Sequence, residues 1–126
     1  GRTGDERLLF TAATLCLTPD DPAAIAARMD DYMQRRRDKQ PLEYPSAGSF
    51  FQRPAGHFAG ALIEQAGLKG CRIGGAAVSE KHAGFVVNLG GATAADITAL
   101  SAHVRERVLA HSGVELTPEV RFIGEF

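Results

Sequence analysis

The sequence predicts an α+β fold: a single domain with a small mixed sheet packed with two longer helices and one short helix. Two long segments, from Pro22 to about Asp38 and from Thr93 to about Ser112, place apolar residues at three- and four-residue steps. That is the period of a helix with one buried face. Short apolar runs of strand length lie around and between them, bounded by glycine and proline. Strands and helices follow one another without a regular βαβ repeat, which favours α+β over a parallel α/β sheet. With 126 residues, the chain is long enough for one core rather than two.

Residues 7–17, RLLFTAATLCL, are rich in Leu and Thr and read as a strand, with Cys16 a small buried hydrophobe within it. TPDDP then breaks the strand and supplies an N-cap aspartate. Pro22 falls in the first helical turn, where its missing N–H costs nothing. Ile25, Met29, Tyr32 and Met33 share one face of the helix that follows. QPLEYP ends it, because a residue before proline is pushed out of the helical region.

YPSAGSFFQRP, residues 44–54, brackets a tight small-residue turn with two prolines and runs it into Phe50 and Phe51, which would anchor the turn in the core. A short helix over 58–66 is closed by Gly67 in a left-handed conformation. Two short strands are expected near 76–78 and 84–88. Thr93 then caps a helix whose Ile97, Leu100, Val104 and Val108 face inward and which stops at Gly113. The closing EVRFIGEF alternates like a strand at a sheet edge.

Composition excludes several classes of function. A net charge of −1 argues against a general nucleic-acid binder, and the one dense basic cluster, Arg35-Arg36-Arg37 with Lys39, is too local to make a basic domain. No apolar run approaches the roughly 20 residues a membrane helix requires. Cys16 and Cys71 lie far apart with no CxxC spacing, so no disulfide framework is implied and a reducing, cytoplasmic setting fits. His57, His82, His103 and His111 are scattered without metal-ligand spacing. The chain opens without an initiator Met and leads almost directly into an apolar run, as the C-terminal part of something longer would.

Four stretches could carry chemistry, and each also has a purely structural reading. RRRDKQP is a solvated helix end with cations near the negative dipole pole, or a pair of cations reaching a diphosphate. IGGAA is a tight strand entry, or a place where a ligand approaches the backbone; neither GxxxxGK[ST] nor GxGxxG occurs. Ser79-Glu80-Lys81-His82 is a solvated turn, or a set of groups suited to phosphate and sugar hydroxyls. Glu119 opens an apolar stretch with Val120, Phe122 and Ile123. Facing inward it would be partly desolvated; facing out it would pair with Arg121 or another neighbour. No Ser–His–Asp arrangement can be assembled from local sequence.

YPSAGSFFQRP, AGALIEQAGLKGCRIGGAAVSEKHAGFVVN and GVELTPEVRFIG closely resemble, in the same order, the C-terminal region of the UDP-N-acetylenolpyruvoylglucosamine reductases, the MurB family. The likeness runs from about residue 8 to the end. It implies residues 1–18 as the tail of a flavin-binding region and 19–126 as the substrate-binding domain. It further implies FAD reduced by NADPH and a hydride passed to UDP-N-acetylglucosamine-enolpyruvate, giving UDP-N-acetylmuramate for peptidoglycan. Ser49 would be the proton donor and Glu119 would assist at the developing enolate. Lys39, with Arg36 or Arg35, would approach the diphosphate, and His82 matches a polar substrate-contacting position. Arg53 stands where many relatives carry asparagine.

The family's catalytic arginine and its main FAD contacts belong to a part this chain does not contain, so the chain alone would be colourless and inactive. SEKH followed directly by AGF looks like the shorter subtype, which lacks a tyrosine-bearing insertion. An opening strand without its sheet partners would leave an edge able to pair with another chain. Two other readings stand beside this one: a stand-alone nucleotide-sugar binding or regulatory module, and an α+β domain in which Ser49 and Glu119 serve only turns and sheet edges.

Overall fold

The computed structural model describes residues 11–124. The chain divides into two units, 1–32 and 33–126, with the division falling inside the first helix. In the first unit, residues 11–17 form no strand and are exposed throughout, Leu15 and Leu17 at 78% and 83%. Cys16 is exposed, not buried. A strand exists only by pairing, and no pairing strand accompanies this segment among the described residues. The part of the expected strand at 7–10, and with it much of the edge expected to mediate self-association, lies outside the described residues.

Helix α1 spans Pro22–Lys39. Asp21 caps it by accepting the Ala24 amide at 2.9 Å, and Asp20 accepts from Arg28 at 2.6 Å. The helix forms as its sequence requires, yet no residue in it is buried. Ile25, Met29, Tyr32 and Met33 remain 37–65% exposed. The period of an amphipathic helix identifies the face to be covered but not what covers it.

The second unit holds a four-stranded sheet in which every pairing is antiparallel. Its strands are β1 (Ser46–Ser49), β2 (Arg72–Ile73), β3 (Ala76–Val78) and β4 (Phe85–Asn88), in the order β1-β4-β3-β2. Helices α2 (Ala59–Gln65) and α3 (Ala94–Ser112) complete it. The α+β class and the two longer helices and one short one are as expected, but the sheet is antiparallel throughout rather than mixed, and α1 buries no residue. The core gathers Ile63 from α2, Val78 from β3, Leu100, Val104 and Val108 from α3, and Leu116 beyond it, all at 2% exposure or less. Burying each such side chain contributes about 1.5–3 kcal/mol.

Both core helices end by their own chemistry. Gly67 takes φ +72; its N–H bonds to Glu64 O and that of Leu68 to Ile63 O, the paired bonds of a Schellman motif. Thr93 accepts the Asp96 amide at 3.1 Å and Asp96 accepts the Thr93 amide at 2.9 Å, a reciprocal capping box. Gly113, at φ +70, stops α3.

Two further expectations are corrected. Ser46–Ser49 is not a tight turn but a strand at the sheet edge. A β-bulge lies between the pairs Ser46↔Val87 and Ser49↔Phe85, and Gly48 within it takes φ +79. Small residues were needed for the bulge rather than for a reversal. EVRFIGEF is not a strand over residues 119–124, and its last two residues lie outside the description. Among the described residues its pairing is confined to one bridge, Phe51↔Pro118, flanked by the amide bonds of Gln52 and Glu119. Phe50 and Phe51 are buried as expected, ring against ring at 5.1 Å.

The glycines of IGGAA serve the chain itself. A Cβ on Gly75 would lie 2.4 Å from Ala92 N and 2.5 Å from Gly90 O, so Gly75→Ala must move backbone and should cost about 1–3 kcal/mol. Thr93→Ala should cost about 1 kcal/mol in chemical denaturation. Amide hydrogen bonds from Thr93, and then Gly75, hold the Asp96 carboxyl below the usual carboxylate range. Its folded state therefore favours the ionised form. The stability this contributes is complete above the unfolded-state value near about 3.9 and is lost as pH falls through the folded-state value. Denaturation curves between neutral and acid pH should show Asp96→Asn flattening that acid-side loss.

Candidate active site

A cleft of about 550 Å³ opens where segments distant in sequence converge. Ser49 comes from the last residue of β1, Arg53 from the loop after it, Lys81 and His82 from the β3–β4 turn, and Glu119 from the segment beyond α3. Gly60 and Glu64 of α2 form part of the wall. Of the six residues singled out as site candidates, Ser49, Glu119, Arg53 and His82 line this one cleft.

Backbone pairing delivers the first two. Phe50 N–H donates to Gly84 O at 2.9 Å, which ties the end of β1 to the entry of β4. Phe50 O then accepts the Glu119 amide, and the Gln52 amide donates to Thr117 O, both at 2.8 Å. The chain changes partner at Phe50, from β4 to the C-terminal segment. Ser49 and Glu119 are therefore each one residue from Phe50, by sequence in one case and by hydrogen bond in the other. Both side chains are exposed, and neither Oγ of Ser49 nor the Glu119 carboxylate has a partner among the described residues. Glu119 faces out, but without the Arg121 pairing that an outward side chain was expected to make.

The β3–β4 turn is built by Ser79, which is 4% exposed. Its Oγ accepts the amides of Lys81 and His82, both at 3.2 Å, so a hydroxyl stands in for a turn's backbone carbonyl. His82 Nδ1 accepts the Gly84 amide at 3.0 Å, so the neutral ring carries its proton on Nε2. The ring packs edge-on to Phe85 with centroids 4.9 Å apart. Two glycines leave room for it: a Cβ at Gly84 or Gly60 would come within 3.0 Å or 3.3 Å of His82 Cε1.

The guanidinium carbon of Arg53 stands 4.0 Å from the centroid of the Phe58 ring, worth about 0.5–1 kcal/mol at an exposed position. No carboxylate neutralises Arg53 among the described residues. Lys81 lies 3.8 Å from Glu43, an exposed pair of little energetic weight. Glu64 is paired with Lys69 at 2.6 Å. Cations not tightly paired thus face an unpaired hydroxyl and an unpaired carboxylate.

Arg36 belongs elsewhere. It lines a neighbouring cleft of about 410 Å³ with Gln40, Tyr44 and Ser46, and Ser49 borders both clefts. Arg36 Nε donates to Gln40 Oε1 at 2.9 Å. Lys39 is exposed at the end of α1 and lines neither cleft. Lys81, Phe58 and Glu64 were not singled out as site residues. Lys81 had a signal in its polar turn; for Phe58 and Glu64 the sequence shows only a short helix, not which of its faces meets the cleft.

Residues 40–123 match the family model for the UDP-N-acetylenolpyruvoylglucosamine reductase C-terminal domain. The chain belongs to this reductase family. A relative from Exiguobacterium sibiricum, named UDP-N-acetylenolpyruvoylglucosamine reductase, is 58% identical over 86% of this chain and 36% of its own length. The reductase of the same name from Syntrophomonas wolfei is 51% identical over 96% of this chain and 40% of its own length. The crystal structure of UDP-N-acetylenolpyruvylglucosamine reductase (MurB) from Thermus caldophilus superposes with a TM-score of 0.63 at 36% identity, over 79% of this chain and 34% of that one. The chain thus spans about 40% of the length of a full relative, and corresponds to the family's C-terminal domain.

Gly84→Ala tests how the His82 ring is held. The added methyl would come within 3.0 Å of His82 Cε1, so the imidazole must shift by a few tenths of an ångström against its bond to the Gly84 amide. His82 ring-proton NMR signals should move while α3 signals stay in place; unmoved His82 signals would count against this arrangement.

Proposed function

We propose that this chain is the substrate-binding part of a reductase that converts UDP-N-acetylglucosamine-enolpyruvate to UDP-N-acetylmuramate, a peptidoglycan precursor, using FAD and NADPH. The observation that carries this reading is the convergence of Ser49 and Glu119, both unpaired, on one cation-bordered cleft. In this reading residues 1–18 end a flavin-binding region and 19–126 form the substrate domain. The two unpaired cysteines fit a cytoplasmic setting.

The described residues do not make a flavin site by themselves. A dinucleotide pyrophosphate is commonly held at a helix N-terminus. Here Asp20 and Asp21 precede α1, Asp96 closes the start of α3, and α2 has only seven residues. Carboxylates at the starts of α1 and α3 repel an anion, which supports placing the flavin contacts in the remainder of the protein. The hydride is supplied from there.

The chain's own residues account for the other half of the reaction. Hydride addition to the enolpyruvyl methylene carbon leaves an electron pair on the carbon next to the carboxylate, delocalised into it. Ser49 gives its hydroxyl proton to that carbon; an O–H bond breaks as a C–H bond forms. A serine is a weak acid, but an enolate is a strong base, so placement matters more than acidity. The exposed Ser49 oxygen then regains a proton from water. Glu119 stands at the developing enolate as a hydrogen-bonding partner. Arg53, Lys81 and the Nε2–H of His82 suit phosphate and sugar oxygens. Arg36 and Lys39, at the end of α1, suit a diphosphate reaching past Ser49.

In the complete protein, Ser49→Ala should lower kcat by about 10²-fold or more with little change in substrate affinity. Unchanged kcat would overturn the role. Substrate titration should move amide signals at 46–53, 79–82 and 119; binding with no turnover by the unmutated complete protein would favour a non-catalytic nucleotide-sugar module.

A further inference from the structure

We propose that Arg105, on α3, is a positioning residue for Glu119. Glu119 sits on a segment with no ladder of its own. Arg105 holds the start of that segment from the helix side. Its Nε donates to Leu116 O at 2.9 Å and its Nη2 donates to Glu115 Oε1 at 3.0 Å. The first bond is partly buried and lies beside Leu116, whose side chain is fully buried. Two residues further on, the pairing with Phe50 and Gln52 holds Thr117 and Glu119 from the sheet side.

The segment is thus fastened to α3 at 115–116 and to the 50–52 strand at 117–119. Pro118 cannot add a further amide bond between them. Only a guanidinium provides two donors in a fixed fork for the carbonyl and the carboxylate together. Without it, the segment keeps the Leu116 anchor and the two backbone bonds, so the domain should fold. The angle at which residue 119 enters the cleft would no longer be determined from the helix side. Exposed Glu119 has no side-chain partner of its own, so the backbone bonds on the sheet side alone would be left to orient it. The inference rests on the proposed role of Glu119.

The test uses the complete protein with four variants: Arg105→Gln, Arg105→Lys, Glu119→Gln, and Arg105→Gln with Glu119→Gln. Turnover of UDP-N-acetylglucosamine-enolpyruvate is read with kcat and KM separated. A displaced catalytic group typically costs up to about 10²-fold. Arg105→Gln should therefore lower kcat between about tenfold and that value, with a smaller change in KM. It should have little effect on the Glu119→Gln background, and Arg105→Lys should recover part of the loss. An equal fold-loss in both backgrounds would show that Arg105 acts independently of Glu119 and would overturn the proposal while leaving the role of Glu119 intact. A fully active Glu119→Gln would overturn the role of Glu119 and this proposal with it. A loss in Arg105→Gln matched by a lowered melting temperature, and relieved at low temperature, would mark the arginine as a stability residue only.

Discussion

The site depends on one short piece of backbone pairing, the bridge between Phe51 and Pro118 with its two flanking hydrogen bonds. Two bonds contribute little to stability, roughly 0.5–1.5 kcal/mol each in net terms. Their importance is geometric. Phe50 ends the pairing of β1 with β4 and begins the pairing with the C-terminal segment, so a hydroxyl and a carboxylate 70 positions apart in sequence reach one cleft. Buried Phe50, Phe51 and Leu116 hold both sides of the bridge in the core. The buried core thus lies directly behind the site, and the functional side chains are exposed on it.

That division explains why the site can be both polar and cheap to maintain. Ser49, Glu119 and Arg53 are exposed, so leaving them unpaired carries none of the desolvation cost of a buried polar group. No buried side-chain donor or acceptor lacks a partner among the described residues. Buried Ser79 is used at once to build a turn. Glycine is used in the same spirit at Gly60 and Gly84, where close approach of α2 to the start of β4 leaves just enough room for the imidazole between them.

The second unit was largely legible in the sequence because its local signals agree with its packing. Thr93 with Asp96, Gly67 and Gly113 mark helix ends through chemistry that acts within a few residues, and the inward face of α3 follows from period alone. The segments misread are those whose structure depends on partners. Residues 11–17 have the composition of a strand without a neighbour, and Cys16 is exposed for that reason. Ser46–Ser49 looked like a turn because small residues serve bulges and turns alike, and only the pairing with β4 distinguishes them. Residues 119–124 alternate like a strand, but among the described residues the pairing goes no further than one bridge. Within the site, motif resemblance singled out Ser49, Glu119, Arg53 and His82, which the fold brings together. It did not reveal that Arg36 borders a second cleft, that Lys39 lines neither, or that Arg105 reaches the Glu119 segment from α3. Those facts belong to tertiary geometry.

The pairing between 50–52 and 117–119 is a firm part of the domain, which amide hydrogen exchange at Gln52 and Glu119 would measure. If the pairing is integral to the core, both amides open only with the whole second unit and exchange as slowly as Val104 in α3. If they exchange as fast as exposed Ile123, the bridge is a local contact that comes and goes. Ser49 and Glu119 would then not be held together, and the account of the site would fail.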